Sequence, residues 1–145
     1  TGRPFLPELP ERSMSLSHAE GCAALLLAPS SLRPGVDVET YRPQLYEVAS
    51  RYLTEAEWEK GRRLAPQLTE LELLWSAKET AFKVFGPSDA SLHNFVLKTL
   101  TPQEQTLCLR YPREETELTV HYELRPDYLF TFGWHGLLTD ARPAH

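Results

Sequence analysis

PQLTELELLWSAKETAFKVFGP, residues 66 to 87, decides how this chain folds. Its apolar positions include Leu68, Leu71, Leu74, Trp75, Phe82 and Phe85, a spacing close to the period of a helix with one buried face. The spacing predicts a helix that follows Pro66 and runs to about Phe85. Gly86 and Pro87 end it, because glycine accepts a left-handed cap and proline cannot continue the ladder. Lys78, Glu79 and Lys83 sit within this core-forming stretch. Glu79 and Lys83 are four apart and share one helical face. Spacing alone leaves two readings open. One is a surface ion pair worth roughly a few tenths of a kcal/mol. The other is a charged site bordering the core beside Trp75 and Phe82.

Working outward, the pattern changes on both sides. Upstream, Thr54 and Glu57 have the spacing of a capping box, with Leu53 and Trp58 placed as a hydrophobic staple. GVDVE, residues 35 to 39, alternates strictly, so Val36 and Val38 face one way and Asp37 and Glu39 the other. Pro34–Gly35 reads as the turn into that strand. Ser13–Ser17 reads as a short strand and Cys22–Leu27 as a buried one, joined into a hairpin at Glu20–Gly21. Residues 1 to 12 form an extended, irregular lead-in. Downstream, Phe95–Thr99, Thr106–Tyr111, Glu117–Leu124 and Tyr128–Trp134 are rich in β-branched and aromatic residues. Turn signals such as Tyr111–Pro112 and Pro126–Asp127 separate them. The expected class is α+β, with an antiparallel sheet packed against a long helix in one domain.

A chain of 145 residues, 41% hydrophobic and 24% charged, has the composition of an ordinary globular domain with a real core. The net charge of −5 excludes a broad nucleic-acid surface but not a local basic pocket. Cys22 and Cys108 lie far apart in apolar runs, which fits neither a disulfide framework nor a zinc site. No signal-peptide pattern is visible, and the longest apolar run, Cys22–Ala28, is too short to span a bilayer. A reducing, cytoplasmic setting without membrane contact is expected.

Asp37 and Glu39 leave one face of a strand side by side, so each raises the other's pKa unless something positive sits between them. A hard divalent cation such as Mg²⁺ would do so, and a solvated acidic edge is the alternative. Glu79 offers a third carboxylate. Lys83, one helical turn further, can reach a phosphate oxygen as a point charge. Ser17 and His18 close a short strand, where donors can clasp an anion, and an ordinary structural role is equally open. Arg3, in Gly2–Arg3–Pro4, is a weaker candidate. His93, His121, His135 and His145 show no partner pattern and read as structural.

Taken in order, LSHAEG (residues 16 to 21), GVDVE and WSAKETAFK (residues 75 to 83) resemble the 4′-phosphopantetheinyl transferases. The likeness is to the larger, surfactin-synthetase-activating type, whose core motifs G-x-D-x-E and W-x-x-K-E-x-x-x-K are both complete here. Arg3 stands where the family has a Gly-Lys-Pro element, and YLFTFGW (residues 128 to 134) is similar to its last strand. The resemblance implies transfer of the 4′-phosphopantetheine arm of coenzyme A to a serine of an apo acyl or peptidyl carrier protein, with adenosine 3′,5′-bisphosphate released. It implies Mg²⁺, or Mn²⁺, on Asp37, Glu39 and Glu79. Glu79 would be the base, Lys83 would assist at the pyrophosphate, and Arg3, Ser17, His18 and Lys78 would join Lys83 in binding coenzyme A. Trp75 belongs to the motif as a packing residue. The larger members are tandems of two similar halves, and this chain resembles the second half plus the joint. The first half is expected to be absent, or replaced by a partner or a second copy. A non-catalytic half-domain that still binds coenzyme A or a carrier protein is the alternative.

Overall fold

The structure is a computed structural model that describes residues 7–8, 11–59, 63–65, 68–86, 92–112 and 115–136. Strands β1 (Arg12–Ala19) and β2 (Cys22–Pro29) form a hairpin. Ala19 pairs with Cys22, so Glu20 and Gly21 make the turn as expected. Gly21 takes φ +84, which an L side chain adopts only under strain. Next come β3 (Leu32–Thr40), helices α1 (Pro43–Ser50) and α2 (Glu55–Trp58), and a short strand pair, β4 (Arg63–Ala65) with β5 (Leu68–Thr69). Helix α3 (Glu70–Phe85) follows, then β6 (Val96–Thr101), β7 (Thr106–Tyr111), β8 (Thr116–Leu124) and β9 (Tyr128–Gly136). The main sheet has the order β3-β9-β8-β7-β6 and is antiparallel throughout. The α+β expectation holds, and the four C-terminal strands stand where the sequence placed them.

Alternation sorts the sheet into two faces. Leu107, Leu109, Leu118, Val120 and Leu129 turn inward and pack with Leu73, Leu74, Ala77, Ala81 and Val84 of α3. Along β9, the alternate residues Tyr128, Phe130, Phe132 and Trp134 stack as an aromatic ladder on the outer face, with His121 of β8 lying on Phe132 and Trp134. Among the described residues no helix is long and apolar enough to cross a membrane.

Four local expectations need correction. Pro34–Gly35 is not a turn: β3 runs through it, and the turn lies at Ser30–Ser31. Cys22–Leu27 is a strand but not a buried one, since Leu25 is 51% and Leu27 44% exposed. Within its sheet β2 pairs with β1 alone, so an apolar run did not mean enclosure. Helix α3 starts at Glu70 rather than after Pro66, which lies outside the described residues. Thr69 caps it, and the Glu72 carboxylate accepts from the Thr69 N–H in return. Gly86 ends α3 with φ +89 and ψ 166, a glycine conformation that is extended rather than left-handed helical. The Thr54–Glu57 capping box is present on α2, whereas the Trp58 side chain and residues 1–6 and 9–10 of the lead-in fall outside the described residues. Helix α1 was not anticipated.

Gly35 is needed for closeness. A Cβ there would lie 2.5 Å from the Thr80 carbonyl oxygen and 2.8 Å from Val84 Cγ2, so α3 rests directly on the backbone of β3. Gly35→Ala is therefore expected to destabilise the fold by about 1–3 kcal/mol, the range for overpacking a tight core. Urea unfolding reads this as a lower midpoint at unchanged slope, and an unchanged midpoint would mean that helix and strand are not in such contact.

A candidate active site where a strand meets a buried helix

The approach at Gly35 sets a register between strand and helix. Two residues along β3 advance about 7 Å, and four residues along α3 advance about 6 Å. Gly35 lies against Thr80 and Val84, so Asp37, two residues on, comes opposite Ser76, four residues back. Ser76 donates its hydroxyl to Asp37 Oδ2 at 2.8 Å. Thr131, the cross-strand partner of Asp37 on β9, joins them: its Oγ1 lies 2.9 Å from Ser76 Oγ, 2.7 Å from Thr80 Oγ1, and donates to the Ser76 carbonyl at 3.0 Å. All four side chains are buried. The sequence reading missed this hydroxyl cluster. The available signal was Ser76 and Thr80, two small polar residues four apart and hence on one face of the helix.

The carboxylates expected to act together are brought near one another. Burial drives the Asp37 pKa well above its ordinary value; the hydrogen bond and charge of Glu39 and the charge of Glu79 push the same way, against the Ser76 hydroxyl. Burial also raises the Glu79 pKa, reinforced by Glu39 and opposed by Lys83. Arg42 Nη1 lies 3.9 Å from Glu39 Oε1 at the outer margin. Three hard oxygen donors thus stand as repelling neighbours. Among the described residues, no three His, Cys, Asp or Glu side chains draw close enough to form a metal-ligand cluster.

Lys83 and Ser17 meet at the edge of β3 away from β9. Lys83 Nζ donates to the carbonyls of Leu16, at 2.9 Å, and Val36, at 2.8 Å. The hydroxyls of Ser15 and Ser17 accept from the N–H groups of Val36 and Val38 at 3.1 and 3.0 Å. His18 follows on β1 and is exposed. Arg3 lies outside the described residues. Trp75 packs with Leu45 and Ala49 of α1, its ring 5.2 Å from that of Tyr52.

Lys78, expected to bind coenzyme A, lies in the interior. It is fully buried and donates to Glu57 Oε1 at 2.8 Å and to the Tyr52 carbonyl at 3.1 Å. The two partners are perturbed differently. Burial lowers the Lys78 pKa more than Glu57 can restore it. Burial opposes ionisation of Glu57 as well, but donors from Leu97, Lys78 and Thr54 outweigh it and hold that carboxyl below its ordinary value. Glu57 wins its charge through the number of its donors.

A profile of the 4′-phosphopantetheinyl transferase superfamily matches residues 33–132, from the start of β3 into β9. A Bacillus subtilis protein named 4′-phosphopantetheinyl transferase is 29% identical over 87 residues. That match covers 59% of this chain and 38% of the relative's length.

Two outcomes follow from the geometry. Removing one member of a buried ion pair costs about 3–5 kcal/mol, and Glu57→Gln is expected near the lower end because part of its hydrogen bonding survives. The folded pKa of Glu57 lies below the unfolded value. The wild-type advantage should therefore be full above the ordinary carboxylate range and vanish as pH falls through the folded value. Urea titrations of both proteins at neutral and acid pH check it. Conversely, Asp37→Asn removes a crowded buried charge while keeping an acceptor for Ser76. It should raise the neutral-pH stability of the metal-free protein by about 1 kcal/mol, seen as a higher melting temperature.

Proposed function

The chain belongs to the 4′-phosphopantetheinyl transferase superfamily, and from that premise we propose that it transfers the 4′-phosphopantetheine arm of coenzyme A to a serine of an apo acyl or peptidyl carrier protein. The observation that carries the proposal is the charge interaction among Asp37, Glu39 and Glu79, neighbours that are not drawn into a closed ligand cluster, with Lys83 acting on Glu79 where β3 lies under α3. Three mutually repelling carboxylates supply hard oxygen ligands with too little positive charge among them, and this donor chemistry fits Mg²⁺ or Mn²⁺. When bound there, the ion offsets the charge of the pyrophosphate.

The residues divide the remaining work. Glu79, its pKa raised by burial and by Glu39, takes the proton of the carrier serine. A base nearer neutrality is better matched to that step. The serine oxygen attacks the β-phosphorus of coenzyme A, and the bond to the adenosine 3′,5′-bisphosphate oxygen breaks with its electron pair leaving on that oxygen. Lys83 offsets the charge that grows there. Ser17, His18 and Arg3 are assigned to the phosphates of coenzyme A. Lys78 receives no ligand contact in this scheme, because its ammonium is committed to Glu57.

One observation favours a second reading, a half-domain that binds coenzyme A or a carrier protein without transfer. Lys83 and Ser17 engage main-chain groups of β1 and β3, which gives both an architectural role independent of any reaction.

The test is to mix the chain with coenzyme A, Mg²⁺ and an apo carrier protein and weigh the carrier. A gain of one phosphopantetheine arm, lost with chelator and reduced about a hundred- to ten-thousandfold in rate by Glu79→Ala, is the expected result. Binding of coenzyme A without mass gain would select the second reading. Neither binding nor gain would overturn both.

A further inference from the structure

We propose that Ser76, held by Thr131, is a positioning residue that fixes the carboxylate of Asp37 for a divalent cation. The inference rests on the reading that Asp37, Glu39 and Glu79 hold that cation. Ser76 lies outside the charged positions of its motif, and Thr131 is on a strand far from it in sequence.

One assignment of the protons satisfies every hydroxyl in the cluster. Thr131 Oγ1 donates to the Ser76 carbonyl at 3.0 Å. Thr80 Oγ1 donates toward Thr131, with its oxygen at 2.7 Å and its carbonyl at 3.2 Å. The Ser76 hydroxyl then directs its proton to Asp37 Oδ2 at 2.8 Å. Ser76, Thr80 and Thr131 are all 0% exposed, so water does not substitute for a lost partner there. The consequence is a carboxylate with one oxygen tied to the helix. Glu39 and Glu79 sit on the more open side, both half-buried. Asp37 interacts with both of them while Ser76 holds its Oδ2. Partners that orient a ligand in this way usually carry a large share of metal affinity.

A merely structural clasp between α3 and β9 would produce the same hydrogen bonds, so the test must separate metal affinity from stability. Mn²⁺ alone is titrated into the whole chain, without coenzyme A or carrier, and free Mn²⁺ is read by electron paramagnetic resonance. Thermal melts of the metal-free proteins run in parallel. Ser76→Ala is expected to weaken Mn²⁺ binding about 10- to 100-fold. Thr131→Val should weaken it in the same direction, whereas Thr131→Ser, which keeps the hydroxyl, should restore it. Should Ser76→Ala fail to fold, the Thr131 pair decides alone. If Asp37→Asn abolishes binding while Ser76→Ala and Thr131→Val bind as tightly as wild type and only melt lower, the clasp is structural and the proposal is wrong, with the cation reading intact. If the wild-type chain binds no Mn²⁺, the cation reading fails and this inference fails with it.

Discussion

The rest of the structure depends on how near α3 comes to β3. Thr80 and Val84 lie where a side chain on residue 35 would begin, so the contact is backbone to backbone and fixes the separation. The steps of strand and helix nearly match, two residues against four. Whatever seats Thr80 on Gly35 therefore also seats Ser76 on Asp37. Core packing and site geometry are a single constraint. A larger residue at position 35 lifts the helix, and the hydroxyl clasp and the reach of Lys83 to Val36 are disturbed together with the apolar contacts of Ala77, Ala81 and Val84.

Two buried carboxylates on this framework are treated in opposite ways. Glu57 caps α2 through Thr54, accepts from the Leu97 N–H at the start of β6, and neutralises Lys78 of α3. It joins three elements, and its pKa is lowered. Asp37 is more crowded and less compensated, with one hydroxyl donor and two acidic neighbours, and its pKa is raised. A folding requirement alone would favour the first environment at both positions. Groups pushed apart in this manner mark where chemistry is set against stability, and the difference sets Glu57, which holds the fold together, apart from Asp37, the proposed cation ligand. The same division runs through the lysines of WSAKETAFK. Lys78 is bonded within the interior to Glu57, and Lys83 stands at the edge of β3 with its charge acting on Glu79.

What was legible in the sequence was what local physics decides. The Thr54–Glu57 capping box, the turn at Glu20–Gly21 and the alternation of Val36, Asp37, Val38 and Glu39 each depend on residues within a few positions of one another. The C-terminal strands declared themselves through composition and turn residues. Long-range contacts were not legible. Pro34–Gly35 resembles a turn, yet the reason for the glycine is Thr80, on another element. Ser76 meets Asp37 across 39 residues and Thr131 across 55. The motif lysines are alike in sequence, and only the placement of Glu57 shows that Lys78 is occupied. The apolar run of β2 misled because hydrophobicity reports a preference for burial, while burial itself requires an element to supply the cover.

The edge of β3 shows how motif residues become part of the architecture. A strand edge with open N–H and C=O groups invites unwanted pairing. Here β1 lies along that edge without a backbone ladder to it. The Ser15 and Ser17 hydroxyls take the N–H groups of Val36 and Val38, and Lys83 takes the Val36 carbonyl together with that of Leu16. Backbone ladders are insensitive to which side chains a strand carries. This junction is the opposite: its hydrogen bonds belong to individual serines and one lysine, so the seating of the hairpin on the sheet is encoded in side chains. Lys83 consequently joins three elements, α3, β1 and β3, while its charge acts on Glu79. A substitution there changes the hairpin and the charge balance of the site at once, and loss of function at Lys83 is by itself no measure of a chemical role.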